Sequence, residues 1–122
     1  MISLWMEQVS HLTVRPSLQQ DINVDVVIVG AGFTGMWTAY YLNQAQPDLS
    51  IAIVEAKQVG YGASGRNGGW LMGEIAGADG LLKSLTREQR IASHHLIHDI
   101  PDEVARVGER ENIECDLRKG GG

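Results

Sequence analysis

The fold is decided by the stretch Val24-Asp-Val-Val-Ile-Val-Gly-Ala-Gly-Phe-Thr-Gly35. Its first six residues form a short β-branched run, which is typical of a strand buried on both faces. Glycines stand at positions 30, 32 and 35, and the following residues, 36–42, have helical spacing with Gly35, Ala39 and Leu42 on one face. The stretch therefore predicts a strand, a tight turn and a helix in direct succession.

A second strand is expected at residues 50–55. The segment Gln46-Pro47-Asp48 ends the helix, because proline cannot continue it. Ser50-Ile-Ala-Ile-Val-Glu55 then has the apolar composition of another buried strand. Strand, helix and strand within about thirty residues make one βαβ unit, with parallel strands and a right-handed crossover. This is the first half of an α/β dinucleotide-binding fold.

The three glycines of the first turn suit a pyrophosphate. Gly30 permits the tight turn, Gly32 lets phosphates reach the main chain, and Gly35 lets the helix lie near the sheet. The start of the helix adds unpaired N–H groups and the positive end of its dipole. Glu55 stands where a carboxylate accepts from ribose hydroxyls, and it disfavours NADP because it would repel a 2′-phosphate. NAD and FAD stay open at this point, as does the simpler reading of Glu55 as a solvated strand end.

A second glycine-rich segment favours FAD over NAD. Residues 60–80 contain eight of the fifteen glycines, too many for a helix interior or a central strand, so a loop is predicted. A simple NAD dehydrogenase would enter a helix here, whereas a long loop can follow an extended cofactor. Ser64 can donate to a phosphate, Arg66 can offset its charge, and Gly68 and Gly69 can lay amides against a flat ring.

The remaining sequence is predicted to be mostly helical. Thr86-Arg-Glu-Gln89 has the form of a capping box, and the apolar positions from Ile97 to Val107 keep helical spacing. Pro101 must kink or split this helix. Apolar and polar residues alternate over residues 113–118, which predicts a half-buried strand with Cys115 as a small buried residue.

Three segments together resemble a known family. They are Asp25-Val-Val-Ile-Val-Gly-Ala-Gly-Phe-Thr-Gly35, Val54-Glu-Ala56 and Gly62-Ala-Ser-Gly-Arg-Asn-Gly-Gly69. This combination is similar to the D-amino-acid-oxidase-type FAD-dependent oxidoreductases, and within them to the branch that contains the γ-glutamylputrescine oxidases. Ser3-Leu-Trp5 and the helix at residues 37–42 are similar to that branch as well.

The resemblance implies FAD as cofactor and oxidation of a C–N bond in a small-molecule amine or amino acid, by hydride transfer to the flavin. Many members pass the electrons to oxygen. No side chain is assigned as a catalytic base, which fits a reaction carried by the cofactor. By similarity, the pyrophosphate contacts would be Gly30, Gly32, Phe33, Thr34 and Gly35, the adenosine contacts Glu55 and Ala56, and the contacts to phosphates, ribityl chain and flavin ring Ala63, Ser64, Arg66, Asn67, Gly68 and Gly69.

The expected fold class is α/β: a Rossmann-like FAD-binding βαβ unit with a glycine-rich loop and a following helical segment, incomplete in this fragment. Residues 1–23 are expected to be an arm that lies on the domain through Leu4 and Trp5. Residues 24–112 would be the N-terminal part of the FAD-binding domain, and 113–122 the start of a truncated substrate-domain strand. We expect a fragment of a longer enzyme because only two sheet strands are evident, and the terminal run Gly120-Gly-Gly122 agrees with this.

Composition narrows the functional class. A net charge of -5 argues against a nucleic-acid partner. The N-terminus lacks the features of a secretory signal, and the densest apolar run, residues 26–29, is too short to span a membrane. A single cysteine favours a reducing, cytoplasmic setting. Nothing in the sequence indicates the oligomeric state.

Several tempting side chains are given simpler roles. His94 and His98 are four residues apart, but a solvated helix face explains them better than zinc, so no metal is expected. The aromatics at positions 37, 40 and 41 are expected to fill a core or an interface. Trp70 either borders the flavin or does the same. An NAD-linked dehydrogenase and a non-catalytic nucleotide-binding remnant remain the alternative functions.

Overall fold

The structure is a computed structural model that describes residues 3–8 and 15–120. Parts of the predicted arm and of the glycine terminus, namely residues 1–2, 9–14 and 121–122, lie outside these ranges. The chain divides after Gly68 into two compact units. The first holds α1 (Leu4–Gln8), β1 (Val26–Val29), α2 (Phe33–Ala45), β2 (Ile51–Val54) and a 3₁₀ turn (Ala63–Gly65), and the second holds α3 (Ala78–Leu82), α4 (Arg87–His98) and α5 (Ile100–Arg110).

β1 and β2 form a two-stranded parallel sheet in which Val26 pairs with Ile51 and Val29 with Val54. One polar pair fixes the start of both strands. The Asp25 carboxylate accepts from the Ser50 hydroxyl at 2.6 Å and from the Ser50 N–H at 2.9 Å, and these hydrogen bonds lower the pKa of Asp25. The Asp25 N–H in turn donates to the Ser50 hydroxyl at 3.0 Å. The predicted strand–helix–strand order with parallel strands is confirmed.

α2 packs so closely on the sheet that Gly35 has no room for a side chain. A Cβ atom on Gly35 would lie 2.1 Å from the Gly30 carbonyl oxygen and 3.2 Å from Ile28 Cγ2. The prediction that this glycine brings the helix near the sheet is confirmed. The helix begins at Phe33, three residues earlier than predicted, and it ends at Ala45, with Gln46 as the C-cap directly before Pro47.

The expectation that β1 is buried on both faces is wrong for the described chain. Ile28 faces α2, whereas Val27 and Val29 point to the opposite side and are 55% and 85% exposed. The reason is that the described residues supply a helix layer on one side of the sheet only. A two-stranded sheet with one covered face buries little apolar surface.

The second unit confirms the predicted capping box and the predicted break at Pro101. The Thr86 hydroxyl accepts from the Gln89 N–H at 3.2 Å, while the Gln89 side chain accepts from the Thr86 N–H at 3.0 Å. α4 ends at His98, and α5 carries Pro101 in its first turn, where a missing N–H costs no helical hydrogen bond.

Two expectations about the chain after Gly60 are wrong. The region 60–80 is not loop throughout, since α3 begins at Ala78 and includes Gly80. Residues 113–118 form no strand, and Cys115 is exposed rather than buried. Asn112 (φ 52°) closes α5, with the Ile113 N–H donating to the Gly108 carbonyl at 2.8 Å. The chain beyond this closure meets no partner strand among the described residues, so the alternating pattern alone cannot form a sheet.

Among the described residues, no helix combines the length and the apolar character that crossing a bilayer requires.

Gly35→Ala is expected to lower the free energy of unfolding by about 1–3 kcal/mol, because the added methyl group forces α2 away from β1. Urea denaturation followed by far-ultraviolet circular dichroism measures the change. Gly108→Ala is the matched control: it lies inside α5, its Cβ would meet only Cys115 Sγ at 3.9 Å, and we expect it to raise stability by about 0.5–1 kcal/mol. Equal effects of the two substitutions would contradict the close packing at Gly35.

Candidate nucleotide-binding site

The first glycine turn joins the end of β1 to the start of α2. Gly30 has a φ of 101°, a conformation that favours glycine, and its N–H donates to the Val54 carbonyl at 2.7 Å. Gly32 precedes α2 in an extended conformation with φ −87° that any residue can adopt. What Gly32 supplies is therefore an empty position where a side chain would otherwise stand.

Glu55 follows β2 and holds the turn from the side. Its Oε2 accepts from the Ala31 N–H at 2.9 Å and its Oε1 from the Lys57 N–H at 2.9 Å. These two hydrogen bonds lower the pKa of Glu55, so the carboxylate is ionised near neutral pH. A carboxylate has about four lone-pair positions, and two backbone donors leave it able to accept from hydroxyl groups of a ligand.

Ser64 stands over the start of α2, although it is 31 residues away from it in sequence. Its hydroxyl oxygen accepts from the Phe33 N–H at 2.8 Å and would lie 3.0 Å from a Cβ atom on Gly32. Because Gly32 has no side chain that can cap the helix, Ser64 takes over that role from a distance. A hydroxyl that accepts one hydrogen bond keeps its own hydrogen to donate, and this suits an anion.

The start of α2 has further donors. The first N–H bonded within the helix belongs to Met36, which donates to the Gly32 carbonyl at 3.0 Å. The N–H groups of Thr34 and Gly35 therefore come before the first helical hydrogen bond, where helices bind anions. Together with the Ser64 hydroxyl, they form a set of donors around the vacant side-chain position of Gly32.

The second glycine-rich loop, which begins at Gly60, is held against the first glycine turn (residues 30–35) and folds back on itself. The Gly60 N–H donates to the Ala31 carbonyl at 2.9 Å. A Cβ atom on Gly65 would lie 2.2 Å from the Gly60 carbonyl oxygen, so the two glycine backbones touch. This contact is what brings the 3₁₀ turn with Ser64 to the start of α2.

The side chains of Arg66 and Asn67 make hydrogen bonds within the second loop. The Asn67 amide donates to the carbonyls of Ser64 at 2.7 Å and Ala63 at 3.3 Å, which braces the 3₁₀ turn. Arg66 Nε donates to the Tyr61 carbonyl at 2.7 Å, and its guanidinium lies 4.8 Å from the centre of the Tyr61 ring. Both side chains thus fix the shape of the loop, and the exposed guanidinium adds a positive charge to it.

The structure brings most of the predicted pyrophosphate and adenosine contacts together at one edge of the sheet. Ala56 follows Glu55 and is exposed, and Gly68 is the last residue of the first unit. Gly69 belongs to the second unit and has a φ of 74°. Seven of the predicted contact residues lie together around the end of β1 and the start of α2: Gly30, Gly32, Phe33, Thr34, Gly35, Glu55 and Ser64.

Two residues that help to hold the candidate site together were not identified from the sequence. Ala31, which is buried, donates its N–H to Glu55 and accepts from the Gly60 N–H, but backbone groups give no signal in residue type. Trp5, expected only to anchor the arm, donates from Nε1 to the Asn67 carbonyl at 2.7 Å. Its place in a five-residue helix gave no indication of that partner, which lies 62 residues away in sequence.

The structure also places the aromatic and histidine side chains for which the sequence indicated no certain role in cofactor or metal binding. Trp37 stacks on Tyr41 with ring centres 5.6 Å apart, and Trp70 is 81% exposed. His94 Nε2 lies 3.5 Å from an Asp79 oxygen. Within the described ranges, no three His, Cys, Asp or Glu side chains are grouped so that they could hold a metal ion.

Comparison with known proteins gives consistent matches. Residues 25–122 match a family model described as FAD dependent oxidoreductase. The chain is 33% identical over 106 residues to gamma-glutamylputrescine oxidoreductase of Escherichia coli and 32% identical over 106 residues to probable oxidoreductase OrdL of Haemophilus influenzae. Each match covers 86% of this chain and 24% of the relative, so the chain spans about a quarter of their length.

A shorter similarity reaches another group of proteins. The chain is 52% identical over 54 residues to thiamine thiazole synthase of Sclerotinia sclerotiorum, which covers 44% of this chain and 15% of that protein. No solved structure matches the chain.

Glu55→Gln is expected to lower the thermal stability of the protein at neutral pH, because the amide has one acceptor oxygen where the carboxylate has two. The folded-state pKa of Glu55 lies below its ordinary value of 4.5, so its contribution is fully present above that pH and is lost as the pH falls through the folded value. The stability difference between wild type and variant should therefore shrink on acidification.

The matched control is Glu74→Gln, which alters an exposed carboxylate that makes no hydrogen bond in the described part of the chain. Melting temperatures of the three proteins over a pH series measure the effect. A wild-type-to-Glu55→Gln difference that stays constant with pH would show that the Glu55 carboxylate does not hold the turn.

Proposed function

The chain belongs to the FAD-dependent oxidoreductase family, and from this membership we propose that it is the FAD-binding part of an enzyme that oxidises a C–N bond of an amine or amino acid, with oxygen as electron acceptor. Glu55 alone is compatible with both NAD and FAD, and the family's cofactor is FAD. The family has a Rossmann-like FAD-binding fold, and a parallel βαβ unit is consistent with a part of it.

The observation that carries the proposal is the vacant position beside Gly32. The Ser64 hydroxyl, the N–H groups at the start of α2 and the missing Gly32 side chain form a cradle that a Cβ atom would fill. Donors on one side and empty space on the other suit a diphosphate group. We therefore assign the pyrophosphate of FAD to residues 30–35, with Ser64 as an additional donor from the second loop.

The adenosine half is assigned to Glu55 and Ala56. The Glu55 carboxylate is held in place by the Ala31 and Lys57 N–H groups, so a ribose that donates hydroxyls to it meets a fixed acceptor. Its lowered pKa keeps it charged and acceptor-only near neutral pH. This geometry favours a free 2′-hydroxyl over a 2′-phosphate.

The ribityl chain and the flavin ring are assigned to the remaining loop residues. Arg66 has its Nε bonded to the Tyr61 carbonyl, so the terminal guanidinium nitrogens are held at the exposed side of the loop. A cation held there can offset negative charge on the cofactor. The proposed contacts are Ala63, Ser64, Arg66, Asn67, Gly68 and Gly69.

When bound, FAD would supply the hydride acceptor for oxidation of the substrate's C–N bond, and water would hydrolyse the resulting imine. The residues of this chain bind and orient the cofactor and supply no proposed acid or base. Substrate contacts are assigned to the remainder of the enzyme, in line with the proposed division into residues 24–112 as nucleotide domain and 113–122 as the start of the substrate domain.

The amine class is supported by the extent of the matches. The relative named gamma-glutamylputrescine oxidoreductase aligns with 86% of this chain. The thiamine thiazole synthase has a higher identity, 52%, but it aligns with only 44% of the chain. A similarity that covers both units carries more weight for the whole enzyme than one that covers less than half of the residues.

Gly32→Val is expected to yield folded protein without FAD, because the branched side chain fills the proposed phosphate position and displaces the Ser64 hydroxyl. Backbone strain does not explain such a loss, since φ at Gly32 is −87°. Gly62→Ala is the control: it lies in the second loop with φ −77° and no atom within 4 Å of the added Cβ, and should keep its FAD. Flavin absorbance per protein is the measurement, and a Gly32→Val protein with full flavin content would overturn the placement of the pyrophosphate.

The full-length flavoprotein is expected to lose its yellow colour when mixed anaerobically with its amine or amino-acid substrate, and to regain it with release of hydrogen peroxide when air is admitted. A panel of primary amines, secondary amines and amino acids, followed by flavin absorbance, identifies the substrate. Reduction by NADH with no reduction by any member of the panel would favour the dehydrogenase alternative instead. Flavin reduction by a substrate without peroxide formation in air would exclude oxygen as acceptor.

A further inference from the structure

The short helix α1 (Leu4–Gln8) is anchored to the second loop by two neighbouring side chains. Trp5 Nε1 donates to the Asn67 carbonyl at 2.7 Å, across 62 residues of sequence. Met6 Cε would lie 3.4 Å from Cβ atoms built on Gly60 and on Gly65, so it rests on the place where the loop folds back. A helix of about five residues is not stable by itself in water, so these contacts are what hold it.

Hydrogen bonds continue from Trp5 to the start of α2. Trp5 bonds the Asn67 carbonyl, and the Asn67 side-chain amide donates to the Ser64 carbonyl at 2.7 Å. The Ser64 hydroxyl then accepts from the Phe33 N–H at 2.8 Å. Three successive contacts therefore link the indole of Trp5 to the donors that surround the vacant position at Gly32.

We propose that Trp5 is a positioning residue for FAD, which acts through Asn67 to hold the Ser64 hydroxyl at the start of α2. This inference rests on the proposed function, since it assumes that FAD binds at that place. It assigns a role in cofactor binding to an N-terminal segment that precedes the strand–turn–helix motif by about twenty residues. Trp5 itself is not required to touch the cofactor.

The geometry distinguishes this role from simple packing. Trp5 is 41% exposed, so its ring contributes only part of its apolar surface to the fold. Its N–H, by contrast, makes a well-formed hydrogen bond to a residue that braces the 3₁₀ turn. Loss of the N–H alone should therefore weaken FAD binding by moving Ser64, while the stability of the apoprotein changes little.

The test is a double-mutant cycle on FAD affinity in the full-length protein, stripped of flavin and titrated with FAD. Trp5→Phe keeps a ring and removes the N–H, Ser64→Ala removes the hydroxyl at the helix start, and the double variant contains both changes. Trp37→Phe is the matched control, because it makes the same substitution on α2, where Trp37 stacks on Tyr41. Quenching of flavin fluorescence gives each dissociation constant, and melting of the flavin-free proteins gives their stability.

Trp5→Phe is expected to raise the dissociation constant for FAD roughly five- to tenfold, as for the loss of one hydrogen bond, and Trp37→Phe to change it by less than about twofold. In the Ser64→Ala background, Trp5→Phe should have a much smaller effect, since the group that it positions is already absent.

Equal effects of Trp5→Phe in both backgrounds would overturn the proposal. An unchanged affinity would also overturn it, because Trp5 would then have no part in FAD binding. A flavin-free Trp5→Phe protein that fails to fold would overturn it as well, because Trp5 would then have a structural role. Failure of the wild-type protein to bind FAD would instead refute the proposed function, whereas FAD binding that is independent of Trp5 would leave it standing.

Discussion

The close approach of α2 to the end of β1 is the constraint on which the rest of the first unit depends. It exists because Gly35 has no Cβ atom, which would otherwise lie 2.1 Å from the Gly30 carbonyl oxygen. This approach aims the start of α2 at the carboxyl edge of a parallel sheet, where α/β proteins bind their ligands. Glu55 at the end of β2 and Ser64 from the second loop can reach the turn only because the helix begins there.

Polar contacts rather than a large apolar core hold this edge together. Ala31 is the one buried apolar residue among those described in the first unit. Around it, the carboxylate of Glu55, the N–H of Gly60 and the hydroxyl of Ser64 each bond the backbone of residues 31–33. Directional bonds of this kind fix positions well but contribute modestly to net stability, which is what a preformed binding site requires.

The sequence predicted what depends on local pattern. Strand, turn and helix at residues 24–42, the capping box at Thr86 and the break at Pro101 follow from periodicity and from the chemistry of single residues. Long-range pairs could not be predicted, because the bonds of Ala31 use backbone atoms and Trp5 meets Asn67 across 62 residues. The strand expected at residues 113–118 failed for a related reason: alternation describes one strand, whereas a sheet needs a neighbour to pair with it.

The exposed face of the sheet and the polar construction of the site have a joint consequence for cofactor binding. With Val29 85% exposed, the described strands gain little stability from burial, and a ligand that binds only the folded state adds its binding free energy to that small total. In the proposed arrangement, FAD bonds the N–H groups of the turn and the hydroxyl that caps α2, so the same contacts that recognise the cofactor also stabilise the loops. In that arrangement the hydrogen bonds between the two loops hold the donors in place before FAD binds, which lowers the cost of ordering the site on binding.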